Sequence, residues 1–163
     1  MPSKQPRHPE VFDVRSVHGA DSWVFGNDAV SVCLTRSGAQ MAPVQFYRGD
    51  DPIEPYYVAP WATEEYAIPP DEAMLKLMRG DVFCFPFGFP SDDGSGMYPL
   101  HGEVSSREWT FAGAARDGAV NSFDFSIEST HPSGSLAKSL HLVDGQNVVY
   151  SEHRVSGVDG EVK

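Results

Sequence analysis

The side chains in this chain best suited to chemistry lie in one aromatic-rich central stretch. Arg79 and Arg107 supply guanidinium groups, and His101 supplies an imidazole, a side chain suited to acid–base chemistry. Phe87 and Trp109 are large rings among them, and such a combination can form a polar binding pocket. The same residues also fit a plainer interpretation, with His101 in a turn, the arginines on the surface and the rings in the core. Spacing alone does not separate the two interpretations.

Two motifs in this stretch carry a resemblance to a known family. The segment 79–88 resembles the part of the aldose 1-epimerase (galactose mutarotase-like) superfamily that reads Arg-Gly-Gly, apolar residues, Pro, an aromatic residue and Gly. The pair His101-Gly102, with Trp109 eight positions after the histidine, is similar to that superfamily's His-Gly motif. The nearest branch is the group related to hexose-6-phosphate mutarotases. Arg107 follows the histidine by six residues, where the family usually has four.

The resemblance implies a function at the anomeric centre of a hexose or hexose derivative. Mutarotation requires a base at the anomeric hydroxyl and an acid at the ring oxygen, so groups with a pKa near neutral suit it. By the resemblance, His101 is the catalytic residue that contacts the sugar, and Arg79 grips sugar hydroxyls or a phosphate. Arg107 would bind substrate as well, with Trp109 and Phe87 as apolar walls against the sugar ring.

The resemblance also implies that this chain corresponds to the N-terminal half of the family's fold. Family members are about twice as long and form a large antiparallel β-supersandwich. Their second histidine and their glutamate base lie further along the fold than residue 163. The chain alone is therefore expected to be weak or inactive as an epimerase. No cofactor is expected.

Composition excludes several other functions. The 163 residues carry 12 Lys and Arg against 23 Asp and Glu, a net charge of −11, which disfavours binding to nucleic acid or to an anionic membrane. No apolar run approaches the ~18 residues of a membrane span, and the polar N-terminus lacks the apolar core of a secretory signal. A cytoplasmic location is expected, with Cys33 and Cys84 as reduced thiols.

The pattern along the chain predicts a mainly β protein, an antiparallel β-sandwich. We expect a flexible tail over 1–10 and one β-sandwich domain over 11–163, incomplete at its C-terminus. Alternation of apolar residues predicts strands, and Asp-Gly pairs predict the hairpin turns between the last of them. One helix is predicted over 69–78, and an exposed loop over 90–96.

The sequence is also compatible with two other functions. A non-catalytic carbohydrate-binding sandwich would use the same rings and Arg79 without an acid–base pair. A cupin-like metal protein would use the His-x-Glu pair formed by His101 and Glu103, although two ligands are few for a metal. A small-molecule sugar or sugar phosphate is the expected partner, and an exposed sheet edge would allow a homodimer.

Overall fold

The computed structural model describes residues 13–48, 51–65, 73–87 and 99–158. The predicted tail over 1–10 and the predicted loop over 90–96 lie outside these ranges. Within them, the prediction of an antiparallel β-sandwich is confirmed. None of the helices in these ranges is long and apolar enough to cross a membrane.

The first sheet contains five strands in the order of the sequence, each antiparallel to the next. Their bounds are β1 Asp13–Val17, β2 Ala20–Gly26, β3 Val30–Thr35, β4 Met41–Tyr47 and β5 Pro52–Ile53. The β2–β3 hairpin turns at Asn27, whose side-chain oxygen accepts hydrogen bonds from the backbone N–H groups of Ala29 and Val30 at 2.9 and 2.8 Å. Asparagine favours turns because its side chain can satisfy nearby backbone donors in this way.

The second sheet is a four-stranded antiparallel meander. Its strands are β6 Thr110–Asp117, β7 Val120–Thr130, β8 Ser133–Val143 and β9 Val149–Ser156. Strands are present where alternation predicts them, although β6 is longer than expected, and the Asp-Gly pairs at 117–118 and 144–145 fall at the β6–β7 and β8–β9 turns. Gly118 and Gly145 have positive φ angles of 56° and 74°, a conformation that glycine adopts at little cost.

The core lies between the two sheets. In β7, Phe123, Phe125 and Ile127 alternate with half-buried residues and face the first sheet, as the sequence pattern predicts. The rings of Phe25 and Phe123 stack with centroids 4.2 Å apart, and Trp23 lies 4.8 Å from Phe125. Burial of these rings contributes to the hydrophobic driving force for folding.

The chain between β5 and β6 covers part of the sandwich and holds the candidate site. It contains a 3-10 turn at Pro60–Thr63, the helix α1 at Ala73–Leu77 and a second 3-10 turn at Glu103–Ser105. The predicted helix over 69–78 is therefore present only as α1 in the described residues, since 69–72 lie outside them. Residues 82–85 are apolar, as in a strand, but they form none; the carbonyl of Phe85 lies instead against Gly102.

Candidate functional site

A cavity of about 440 Å³ lies between α1, the segment after it and the turn that carries His101. Its volume falls within the ~300–1,000 Å³ of typical small-molecule sites. Apolar side chains form most of its wall, and an imidazole, a phenol, a thiol and a guanidinium add polar groups. The lining residues are Tyr57, Met74, Met78, Arg79, Gly80, Val82, Cys84 and His101.

Arg79 is one of the best-anchored residues in the protein. It is 2% exposed, and its backbone N–H donates to the side-chain oxygen of Gln40 at 2.9 Å. The guanidinium donates to three backbone carbonyls, those of Leu77, Val17 and His18, at 3.0, 3.1 and 3.2 Å. Burial lowers the pKa of this guanidinium from its usual range. Arg79 thus ties the end of α1 to the β1–β2 turn. It also forms part of the cavity wall.

His101 is positioned by a tight turn with an unusual backbone. Its φ angle is 64° and that of Gly102 is 76°, so two consecutive residues adopt the left-handed region. A Cβ on Gly102 would lie 2.1 Å from the carbonyl oxygen of Phe85, so only glycine fits there. The N–H of Gly102 donates to the carbonyl of Pro99 at 2.9 Å. The turn thus packs against the segment that forms the opposite side of the cavity and directs His101 to it.

Glu103 is not among the described residues that line the cavity. Its carboxylate instead anchors the His101 turn to the end of β7. Its carboxylate accepts hydrogen bonds from the hydroxyl of Ser129 at 2.8 Å, from the Thr130 hydroxyl at 2.9 Å and from the backbone N–H of Thr130 and His131. Burial alone would raise the pKa of Glu103, but these hydrogen bonds lower it from 4.5 to about 2. A carboxylate so well satisfied stays ionised and is a weak base.

Three further residues expected in the pocket lie elsewhere. Arg107 forms an ion pair with Glu103 at 2.7 Å and its side chain is 45% exposed. Trp109 is a core residue, 2% exposed, and its indole N–H donates to the carbonyl of Val104 at 2.9 Å. Phe87 is 66% exposed and packs edge-on against Phe83 at 6.4 Å. The structure thus brings Arg79 and His101 together, and leaves these three outside the described cavity wall.

An ion pair between a buried lysine and a partly exposed aspartate, beside the cavity, was missed by sequence reasoning. Lys138 is 0% exposed, and its ammonium group donates to the carbonyl of Ala39 and to the carboxylate of Asp81, both at 2.7 Å. The other carboxylate oxygen of Asp81 accepts the backbone N–H of Met41 at 2.5 Å. This pair fixes the segment after Arg79 to both sheets. Its signal in the sequence is Lys138 itself, which stands at a core-facing position of an alternating strand.

Cys84 supplies the thiol of the cavity. Burial raises the pKa of this thiol from its ordinary value, which favours the thiol over the nucleophilic thiolate. Cys33 and Cys84 are both free, as expected. In the described ranges, no group of three or more His, Cys, Asp or Glu side chains is arranged to hold a metal ion.

A second concavity of about 410 Å³ lies on the outer face of the first sheet. Arg15 and His18 are its basic residues, and Gln45 adds an amide. It is more polar than the His101 cavity, and none of the residues expected from the sequence to bind substrate lines it. His18 therefore serves as an internal comparison for His101 in binding experiments.

The comparisons with known proteins bear on the fold. No family model and no curated protein matches the chain. Among solved structures, the chain is similar to the crystal structure of a "putative mutarotase" (YeaD) from Salmonella typhimurium, with a TM-score of 0.57 and 15% sequence identity. The match covers 80% of this chain and 42% of that one, so the chain spans less than half the length of its structural relative. The fold is mutarotase-like.

Proposed function

We propose that this protein binds a hexose or hexose derivative in the His101 cavity, as a mutarotase-like protein with little or no epimerase turnover of its own. One observation carries the proposal: His101 and Arg79, distant in sequence, line the same cavity in a mutarotase-like fold. The imidazole of His101 and the phenol of Tyr57 can hydrogen-bond to sugar hydroxyls. The methionines and Val82 offer an apolar surface to the C–H face of a sugar ring.

The expected lack of turnover follows from the groups that line the cavity. Mutarotation needs a base at the anomeric hydroxyl and an acid at the ring oxygen. His101 can serve as one of them. Cys84 is held as a thiol, and the guanidinium of Arg79 already donates to three carbonyls. Glu103 is engaged with the end of β7 and is too weak a base for the second role.

Calorimetric titration with glucose, galactose and their 6-phosphates tests the binding. We expect binding of at least one of these sugars, lost in His101→Ala and retained in His141→Ala. The latter removes a histidine of the second sheet, whose ring nitrogen lies 2.8 Å from the Ser122 hydroxyl. No binding by the wild type, or equal binding by both variants, would show that the cavity is not a sugar site.

Polarimetry of freshly dissolved α-glucose and α-galactose tests the second part of the proposal. We expect mutarotation rates close to that of buffer. A second-order rate far above buffer that is lost in His101→Ala would identify a competent mutarotase instead. Sugar binding without turnover would match the non-catalytic carbohydrate-binding function, which the engaged state of Glu103 favours.

A further inference from the structure

The outer edge of β9 is an unpaired strand edge within the described part of the protein. β9 pairs with β8 from Val149 to Ser156, and no other described strand lies on its far side. Its backbone therefore presents a row of N–H and C=O groups that a further strand can bind. Two of the larger exposed apolar side chains also belong to this strand, Tyr150 at 48% and Val155 at 39%.

The two faces of β9 differ in chemistry. His153 lies opposite Lys138 in the sheet register, so it shares the face that Lys138 presents to the core. That face also carries Val155. The opposite face carries Glu152 and Arg154, which form an ion pair at 2.9 Å with side chains 56% and 74% exposed. One face of the free edge is therefore uncharged except for an imidazole, and the other bears one acid and one base.

The positions of Glu152 and Arg154 favour one register for pairing β9 with the β9 strand of a second copy. In an antiparallel pair about a two-fold axis normal to the sheet, a residue and its direct partner lie on the same face. With His153 on the axis, Glu152 lies opposite Arg154 of the second copy, and the reciprocal pair forms as well. An axis at Glu152 or at Arg154 would place like charges opposite each other, which is destabilising.

We propose that two copies of this chain associate through β9, antiparallel and with His153 on the two-fold axis, so that their four-stranded sheets join into one. The charge complementarity of Glu152 and Arg154 sets this register. The aromatic residues beside the axis add apolar contact area. Phe83 stacks on the His153 ring with centroids 4.2 Å apart, and the exposed Phe87 packs against Phe83. This inference is independent of the sugar-binding proposal.

Charge reversal tests the register with variants that leave the fold intact, because both side chains are largely exposed. Sedimentation velocity of the full chain should show a dimer for the wild type. Glu152→Arg and Arg154→Glu, each alone, should weaken the dimer at least tenfold by placing like charges opposite each other. The double variant Glu152→Arg/Arg154→Glu restores both pairs and should restore dimerisation. A monomeric wild type, or a dimer that neither single reversal weakens, would overturn the proposal.

Cysteine cross-linking tests the position of the axis independently of charge. Directly opposed residues have Cα atoms ~4.5–5.5 Å apart, a separation that a disulfide can span. Under mild oxidation, His153→Cys should form an interchain disulfide, whereas Ser151→Cys should not, because it lies opposite Val155 of the second copy. Cross-linking of Ser151→Cys in preference to His153→Cys would place the axis elsewhere and refute the proposed register.

Discussion

Replacement of Glu103 by glutamine tests whether this carboxylate holds the turn that presents His101. A pKa that falls from 4.5 in the unfolded chain to about 2 in the folded protein corresponds to about 3 kcal/mol of stability, at about 1.36 kcal/mol per pKa unit. The ion pair and hydrogen bonds lie at the rim of the sandwich, where solvent screens them, so we expect about 2 kcal/mol in practice. Glu103→Gln keeps the shape and one acceptor oxygen but loses the charge.

The effect should depend on pH in a defined direction. Because the folded-state pKa lies below the unfolded value, the stabilisation is complete above about pH 4.5 and is lost as the pH falls to about 2. Urea unfolding should therefore show the wild type about 2 kcal/mol more stable than Glu103→Gln at pH 7, and less than half of that difference should remain at pH 3.

Glu108→Gln is the matched control. Glu108 lies five residues further along the chain, its side chain is 65% exposed, and its contact with Arg36 is 3.4 Å long. This substitution should change the free energy of unfolding by less than about 0.5 kcal/mol at either pH. An equal loss in the two variants at pH 7, or a Glu103→Gln difference that is unchanged at pH 3, would refute the anchoring role.

Other perturbations have equally definite outcomes. Arg79→Lys keeps the charge but cannot reach three carbonyls, so urea unfolding should show a loss of about 2 kcal/mol; an unchanged midpoint would deny its anchoring role. Lys138→Met leaves the carboxylate of Asp81 without its cation and should cost about 3 kcal/mol, whereas adding Asp81→Asn should recover part of that loss. Burial lowers the pKa of His153 below 6.5, with a further lowering by Lys138 that Asp81 opposes, so wild-type stability should begin to fall as the pH drops below about 6.5. His153→Phe should keep the stack on Phe83 and remove that part of the decline, and identical pH profiles of the two proteins would contradict this.

The sandwich was predictable because its signals are local. Alternation of apolar residues in β7 and β8, and Asp-Gly pairs between strands, depend on neighbours within a few positions. The helix α1 and the run 82–85 were harder to predict, because long-range contacts decide their conformation. Residues 82–85 have the composition of a strand, yet the chain there is held by Asp81 and by the His101 turn instead.

The sequence predicted two residues that line the cavity, but it did not predict where the other expected pocket residues lie. The resemblance brought Arg79 and His101 together, and both line one cavity. The same motif could not show that Trp109 faces the core. Its backbone N–H donates to the carbonyl of Arg36 at 2.8 Å, a contact across more than seventy residues that turns the ring inward. Which side of the chain a ring occupies is set by such distant pairing and not by residue type.

The most direct test of the central claim is an NMR titration of the histidine side chains with a hexose that binds in calorimetry. The imidazole resonances of His101, assigned by their absence in His101→Gln, should shift in a saturable manner. Those of His18, in the second concavity, and of His141, in the second sheet, should not move. A saturable shift of His18 with an unaffected His101 would place the sugar on the other face of the protein and contradict the account.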